Sequence, residues 1–294
     1  MSALGALPSG VTCRTINEDD LEGVISCLRR GFPQRSRDYW HQAFVRASQR
    51  EAIDDLPRYG VTLESHGKIV GVLLTLYARY QTQHGSEIRC NLGSWAVDNE
   101  FRPYATKMIL KVLKRRDITY VNISPAPATI RFNEAFGFRL FSHGQVAFAP
   151  ALSSAGRACR VVEADPNAPE MAMLSDNERT ILSEHAALGC YALICIDGEK
   201  AHPFVLIKRH VVRGLIPCCQ VIYCRSTAEL SRYAGAIGRF LLPKGIVLCL
   251  VDATETIPGL RGRYFPNRGP KYFKGPRPPS PGDLTFTEMV VYGP

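Results

Sequence analysis

The stretch LGSWAVDNEFRPYATKMILKVLK, residues 92–114, changes from one structural period to another within a few residues. Its first part, through Val97, completes an apolar run that begins at Arg89, and it predicts a strand. Its second part predicts an amphipathic helix, because one helical face carries the apolar residues Ala105, Met108, Ile109, Val112 and Leu113. A helix that begins soon after a strand presents unpaired backbone N–H groups and a positive dipole end. This junction therefore suits an anion.

The elements on either side of this stretch predict an α/β chain. Before it, the pattern predicts a strand over residues 12–17, helices over 21–31 and 37–48, and a hairpin over 61–79. After it, the pattern predicts a strand over 118–123, a short helix that ends at Gly137, and a closing strand or strand pair over 138–148.

A second series of elements begins near residue 160 and repeats the order of the first. Ser175 with Glu178, and Ser226 with Glu229, are capping-box patterns that each predict the start of a helix. The predicted strands cover residues 160–163, 190–196, 204–223 with a bend near Pro217, and 246–251, and a last β segment covers 284–292.

This repeated order predicts two domains. We expect them at residues 1–150 and 157–294, joined by a Ser- and Ala-containing linker at 151–156. The repeat lies in the order of the elements and not in residue identity.

Composition excludes several classes of protein. The chain has 294 residues, of which 46% are hydrophobic and 21% charged, values typical of globular proteins and not of disordered or coiled-coil ones. Its longest apolar stretch, residues 70–78, is far shorter than the roughly 18 residues that a membrane span needs. The first ten residues do not resemble a secretory signal, so we expect a cytoplasmic protein with free thiols.

Two further patterns indicate ordinary structure. Five of the ten cysteines lie between residues 190 and 224, but none forms a CxxC pair, so we expect buried small side chains and no metal site. The basic segment RGRYFPNRGPKYFKGPR, residues 261–277, could stack nucleic-acid bases on its aromatic residues or form a strand, loop and strand with a solvated rim. The net charge of +9 is otherwise evenly spread, which argues against nucleic acid as the partner.

Two blocks of the sequence resemble the GNAT superfamily of acyl-CoA N-acetyltransferases. Residues 92–114 resemble its central strand, loop and helix, and ISPAPATIRFNEAFGFRLF, residues 123–141, resembles its next strand and helix. The resemblance covers roughly residues 11–150, and it is weaker in the second half, which is similar to a degenerate second copy. It implies two tandem GNAT-like domains, each with a mixed, mostly antiparallel, twisted sheet flanked by helices.

The resemblance also implies a cofactor and the residues that bind it. The cofactor is acetyl-CoA or another acyl-CoA. Its pyrophosphate is expected at Arg102, Tyr104, Ala105, Thr106 and Lys107, and its pantetheine arm along Trp95, Ala96 and Val97. The chain departs from the family pattern because this loop has no glycine and contains Pro103, and because Asn133 occupies the position of the family's acidic tyrosine.

Candidates for the remaining roles are less sharply defined. Glu87 and Glu100 lie near the central strand and are candidates for the base, while Ser124 could orient an acceptor or cap a helix. His84 is a further candidate base in a stretch that predicts a turn. Lys271 and Tyr272 are candidates for acceptor recognition by the second half.

These features predict an N-acyltransferase in which the amine of a small molecule or peptide attacks the acyl-CoA directly. Such a reaction needs no enzyme nucleophile. Two alternatives stay open: a binding or scaffold protein that kept the fold without the chemistry, and an aminoacyl-tRNA-dependent transferase that uses the basic segment. The sequence does not indicate an oligomeric state.

Overall fold

The computed structural model describes residues 7–82, 85–153, 159–211 and 216–293, which form twelve strands and seven α-helices. The elements up to Asn122 are β1 (Val11–Thr15), α1 (Leu21–Gly31), α2 (Arg37–Ser48), β2 (Gly60–Ser65), β3 (Lys68–Thr82), β4 (Gly85–Val97), α3 (Ala105–Val112) and β5 (Thr119–Asn122). Those that follow are α4 (Ile130–Ala135), β6 (Arg139–Phe148), β7 (Arg160–Glu163), α5 (Asp176–Ala187), β8 (Tyr191–Asp197), β9 (Lys200–Val211), β10 (Ile216–Cys224), α6 (Thr227–Leu241), β11 (Leu248–Ala253), β12 (Gly262–Lys274) and α7 (Glu288–Val291).

The chain divides into two units. The first contains the residues up to Asn122, with Gly275–Arg277 and Phe286–Gly293, so that α7 returns to it. The second contains Ile123–Lys274 and Pro278–Thr285. These bounds differ from the ranges 1–150 and 157–294 expected from the sequence, because α4 and β6 pack with the second unit and α7 packs with the first. That the two units are copies of one fold stays a prediction, and residues 154–156 of the expected linker lie outside the described residues.

The sheet of the first unit has the strand order β1-β2-β3-β4-β5. Its pairs are antiparallel except for β4 and β5, which run parallel. Helix α1 packs on β3 and β4 and contacts α2, whereas α3 packs on β2 and β3. Gly31 ends α1 close to the sheet, since a Cβ there would lie 2.5 Å from the Cβ of Ala96.

The sheet of the second unit has the order β12-β6-β11-β10-β9-β8-β7. Here β10 and β11 form the parallel pair, and the other pairs are antiparallel. One face of this sheet buries an apolar core against α6, to which the helix contributes Leu230, Tyr233, Ala234, Ile237 and Leu241. Helix α5 packs on β8 and β9. The predicted fold class, with mixed and mostly antiparallel sheets flanked by helices, is confirmed.

Two local predictions were wrong. The segment 284–292 was expected as β structure, but Phe286 has a φ of +57° and α7 follows it, because Val290 and Val291 are buried by tertiary packing that overrides their β propensity. Pro217 itself lies inside β10, and residues 212–215 between β9 and β10 lie outside the described residues, so the bend near Pro217 stays a prediction. Ser226 caps α6, but Glu229 binds His202 and Arg225 instead of completing a capping box.

None of the ten cysteines forms a disulfide bond, and burial raises the pKa of the Cys249 thiol well above its usual value. Within the described ranges, no group of His, Cys, Asp and Glu side chains could hold a metal ion. None of the helices in those ranges has the length and apolarity needed to cross a membrane.

Candidate active site

A β-bulge interrupts β4 near its end. Leu73 of β3 pairs with Trp95, and Thr75 pairs with Leu92, so β4 has one residue more than β3 across this step. Gly93 and Ser94 are the two residues of β4 that form the bulge. A bulge of this kind turns backbone groups out of the ladder and redirects the side chains beside it, and bulges often lie beside active sites.

Strand β4 also has an open edge beyond the bulge. Its parallel register with β5 covers only Arg89 to Asn91, and β5 ends at Asn122. Residues 92–97 of β4 therefore continue beyond their parallel neighbour while they stay paired with β3 on the other side. No strand of the described chain pairs with the edge of β4 beyond Asn91. This edge can accept an extended ligand that hydrogen-bonds like a strand.

The open edge leads to the start of α3. A 3-10 turn over Asn99–Tyr104, with Pro103 inside it, connects β4 to the helix, and no side chain caps the first turn of α3. The buried Thr106 hydroxyl has no hydrogen-bond partner among the described residues. Arg102 is exposed beside it and Lys107 is half-buried in the first turn. A hydroxyl donor and two cations at the start of a helix suit a phosphate, although the Ala105 N–H donates to the carbonyl of Arg102 in the preceding turn.

The loop between β4 and α3 is fixed to α1. Arg30 donates two hydrogen bonds to the carboxylate of Asp98, at 2.9 and 2.8 Å, and a third to the carbonyl of Ile69 at 3.0 Å. The Asp98 N–H donates to the carbonyl of Val70 at 2.8 Å. This bidentate pairing holds the loop in one place where the edge of β4 ends.

One face of β4 carries an unsatisfied amide. Asn91 is only 2% exposed, and neither Oδ1 nor Nδ2 of its side chain has a hydrogen-bond partner within the described residues. Because side chains alternate along a strand, Asn91 and Gly93 face the same side of the sheet. A buried amide without partners costs about 1–3 kcal/mol, so Asn91 is a candidate to bind a ligand.

Helix α7 brings a carboxylate to this same face at the bulge. A Cβ built on Gly93 would lie 3.1 Å from Oε2 of Glu288 and 3.3 Å from the ring of Tyr292, so a glycine here allows both side chains to approach the strand. Glu288 is half-buried. Helix α7 contacts α2, and the Tyr39 hydroxyl donates to the carbonyl of Gly293 at 3.4 Å.

Two phenols close to Glu288 stay protonated. Burial raises the pKa of the Tyr39 phenol; the nearby Arg35 opposes this rise and the Glu288 carboxylate adds to it. Burial also raises the pKa of Tyr292 well above its usual value, with the Glu288 charge as the next contribution. The face therefore combines a carboxylate, two neutral phenols and the Asn91 amide beside the bulge.

The predicted catalytic residues lie on other segments of the chain, and their catalytic roles stay predictions. Glu87 is opposite Tyr80 near the start of β4, where it binds Arg277 and accepts a hydrogen bond from the Thr82 hydroxyl. At about 3.3 Å per residue, it is roughly 20 Å from the bulge along the strand. Glu100 is exposed in the 3-10 turn, Ser124 is an exposed residue of the second unit, and His84 lies outside the described residues.

The predicted binding residues divide into two groups. Trp95, Ala96, Val97, Arg102, Tyr104, Ala105, Thr106 and Lys107 lie together along the edge of β4 and the start of α3. Lys271 and Tyr272, in the second unit, are buried. The Lys271 ammonium is 2.9 Å from Oδ1 of Asp252 and donates to the carbonyl of Gly269 at 3.1 Å. A role for these two residues in acceptor recognition stays a prediction.

The second unit has a strand of similar design whose edge is occupied. Strand β10 pairs in parallel with β11 from Cys218 to Gln220 and has a bulge between Val221 and Tyr223. Beyond it, the Leu284 N–H donates to the carbonyl of Ile222 at 2.7 Å, and the Cys224 N–H donates to the carbonyl of Gly282 at 3.1 Å. Residues 282–284 therefore take the place along β10 that is open along β4.

No family model matches the chain, and no curated protein matches it in sequence. Solved structures do match. A GCN5-related N-acetyltransferase from Anabaena variabilis aligns with a TM-score of 0.60 at 10% identity, covering 90% of this chain and 72% of its own. The chain has the fold of the GCN5-related N-acetyltransferases. This acetyltransferase fold is also seen in a protein from Kribbella flavida, with a TM-score of 0.59 at 13% identity over 90% of this chain and 70% of that one.

The acetyltransferase fold extends over both units. A candidate acetyltransferase from Pyrococcus horikoshii aligns with a TM-score of 0.57 at 13% identity, covering 96% of this chain and 95% of its own. The resemblance stated from residues 92–141 is thus confirmed at the level of the fold.

Neither Glu288 nor Asn91 was predicted from the sequence as a site residue. Glu288 lies in a segment that its β-branched residues wrongly assign to a strand, and it is far along the chain from the strand it contacts. Asn91 lies in an apolar run, and a polar residue inside a predicted buried strand was the signal that could have identified it.

Proposed function

We propose that the chain is an N-acyltransferase that transfers an acyl group, with acetyl as the first to test, from acyl-CoA to the amine of a small molecule or peptide. The observation that supports this most directly is the open, bulged edge of β4 that leads into the uncapped start of α3. The acetyltransferase fold of the solved structures adds to it.

Each part of an acyl-CoA has a matching part in the first unit. The pyrophosphate suits the start of α3, with Arg102, Thr106 and Lys107 as its contacts. The pantetheine arm carries two amides and suits the edge of β4 over residues 95–97, along which no strand of the described chain lies. The thioester carbonyl can accept a hydrogen bond from a backbone N–H that the bulge turns out of the ladder.

The chemistry is direct attack of the amine on the thioester. The protein orients the two reactants and polarises the carbonyl, and these effects need no covalent enzyme intermediate. The absence of a tyrosine at Asn133, which is buried in α4 of the second unit, therefore leaves the proposed reaction possible.

Calorimetric titration with acetyl-CoA, free CoA and octanoyl-CoA tests the proposal. We expect saturable binding of one molecule per chain, and release of CoA thiol when primary amines are added with acetyl-CoA. Thr106→Val keeps the side-chain shape but removes the hydroxyl, so it should weaken CoA binding about three- to tenfold and leave stability unchanged.

A double variant tests the two cations. Arg102→Ala with Lys107→Ala should weaken CoA binding by at least tenfold, because charge-assisted contacts to phosphate are lost. Lys200→Ala with Arg239→Ala removes two exposed cations of the second unit and is the matched control. Equal CoA affinity in the two double variants would contradict the assignment of the phosphate site.

A binding or scaffold protein is the second candidate function. Pro103 inside the 3-10 turn favours it, because this residue has no N–H to offer a phosphate. No binding of any of the three CoA compounds at millimolar concentration would support this candidate and exclude the first.

Two finer predictions accompany the proposal. The free state of all ten cysteines is consistent with a reducing, cytoplasmic location. The aminoacyl-tRNA alternative depends on the basic segment, in which the guanidinium groups of Arg263 and Arg268 lie 5.5 and 5.7 Å from the ring of Phe265. A gel-shift assay with bulk tRNA at physiological salt tests that alternative.

A further inference from the structure

The length of the pantetheine arm indicates where the thioester would lie. An arm with two amides spans about as far as four to five residues of an extended strand, at about 3.3 Å per residue. Counted back along β4 from Val97, beside the proposed phosphate site, this distance ends at Gly93 and Ser94. The reacting carbonyl is therefore expected at the bulge.

Glu288 is the carboxylate at that position. Its Oε2 would be 3.1 Å from a Cβ on Gly93, closer than most Cβ contacts, so the glycine gives the carboxylate room beside the strand. The side chain is half-buried, so the dielectric around the carboxylate is lowered although the carboxylate is not removed fully from solvent. Such a position gives a base both access and a lowered local dielectric.

Asn91 supplies an independent indication of a ligand on the same face. Both polar atoms of its amide are buried without a hydrogen-bond partner in the described chain, two residues before Gly93. An amide has one acceptor and two donor positions, so it can hold both a carbonyl and an amine hydrogen. The face of β4 with Glu288 thus has the polar groups that a reacting amine and thioester need.

We infer that Glu288 is the general base that takes the proton from the attacking amine, and that Asn91 positions the reactants beside it; this inference rests on the proposed acyltransferase function. The amine nitrogen forms a bond to the thioester carbon, and the C–S bond breaks with its electron pair leaving on sulfur. The extra proton on nitrogen passes to the Glu288 carboxylate. That proton then passes to the CoA thiolate, directly or through water, and the carboxylate is restored.

A pair of unreactive CoA thioethers tests the inference without knowledge of the acceptor. S-(2-aminoethyl)-CoA places an ammonium about where the acceptor nitrogen would be, and S-ethyl-CoA lacks only that group. Calorimetry should show that the wild-type chain binds the aminoethyl compound about tenfold or more tighter than the ethyl compound, because the ammonium forms a charge-assisted hydrogen bond with Glu288. Glu288→Gln should remove this preference and leave the affinity for S-ethyl-CoA unchanged.

The controls separate this inference from the proposed function. Glu22→Gln changes an exposed carboxylate of α1 and should keep the preference. Equal binding of the two thioethers by the wild-type chain, or an unchanged preference in Glu288→Gln, overturns the role of Glu288 while acyl-CoA binding stands. Absence of S-ethyl-CoA binding overturns the proposed function itself.

A further variant covers the case in which Glu288→Gln does not fold, and a kinetic measurement adds to the test where it does. Glu288→Asp keeps the charge but withdraws the carboxylate by one methylene, so the preference should fall without loss of S-ethyl-CoA binding. With an amine found by thiol release, Glu288→Gln should lower kcat by about a hundredfold or more with KM for acetyl-CoA unchanged. A kcat within threefold of the wild-type value would contradict the inference.

Discussion

Each unit contains a strand with a bulge, but the edge beyond the bulge is open in the first unit and covered in the second. In the first, β4 runs parallel to β5 up to Asn91, has a bulge and then an open edge. In the second, β10 runs parallel to β11 up to Gln220 and also has a bulge, but residues 282–284 bond to the strand beyond it. The helix that follows is capped by Ser226 in the second unit and has no side-chain cap in the first.

The last residues of the two parallel registers show the same difference. Asn91 has no partner for either polar atom among the described residues, whereas the Gln220 carbonyl accepts from Gln145 at 3.2 Å and its amide donates to the Val221 carbonyl at 3.3 Å. The second unit satisfies the side-chain amide of Gln220, and the first leaves the amide at the corresponding position, Asn91, unsatisfied. Unsatisfied groups lower stability, so we interpret the first unit as the one with a ligand to bind.

The largest expected effect concerns a buried ion pair of the second unit, between Lys271 and Asp252. Lys271→Met would leave Asp252, which is 1% exposed, as an unpaired buried charge, and should lower the free energy of unfolding by about 4 kcal/mol. Urea denaturation measures this loss. Adding Asp252→Asn to Lys271→Met should restore much of it, while Lys200→Met at an exposed position should change little. A loss below about 1 kcal/mol would contradict the importance of this buried pair.

The segment that covers β10 gives the next largest effect. Leu284 is 1% exposed, so Leu284→Ala should cost about 3 kcal/mol through lost burial and a cavity. Hydrogen exchange of the Cys224 amide, which bonds to Gly282, should also become faster. Unchanged protection of this amide would show that the edge of β10 stays covered without the Leu284 side chain.

In the first unit, removal of the unsatisfied Asn91 amide should increase stability. Asn91→Leu removes the buried amide at a similar volume and should raise the free energy of unfolding by about 1–2 kcal/mol, while CoA thiol release with acetyl-CoA and an amine is lost. Urea denaturation and the thiol assay measure the two effects on one preparation. A variant that loses stability would indicate that Asn91 serves the fold of the free chain.

Some parts of the proposed site could be predicted from the sequence and others could not. The strand and helix of residues 92–114 could be predicted because each has a local period that the folded chain keeps. The open edge, the bulge and Glu288 could not, since they depend on how distant segments pair. Val290 and Val291 favour β structure locally, and only burial against the first unit turns them into α7.

The smallest expected effect is the loss of stability in acid that comes from one ion pair of the first unit, between Arg14 and Asp20. Hydrogen bonds from Arg14 hold the pKa of the Asp20 carboxyl below its usual range. The folded pKa is lower than the unfolded value of about 3.9, so this pair stabilises the fold above that value and is lost as pH falls through the folded pKa. Because Arg14 is partly exposed, solvent limits the effect to about 1 kcal/mol or less. Asp20→Asn should therefore reduce the loss of stability between pH 6 and pH 3, measured by urea denaturation.

The return of α7 to the first unit affects how the protein is made. A ribosome completes β5 long before it adds Phe286–Gly293, and the whole second unit is synthesised in between. During that interval the face of β4 at Gly93 lacks Glu288 and Tyr292, although the second unit can already fold. The proposed site is therefore completed only after the second unit has been synthesised, and a chain that stops before residue 286 would hold the open edge of β4 without its proposed base.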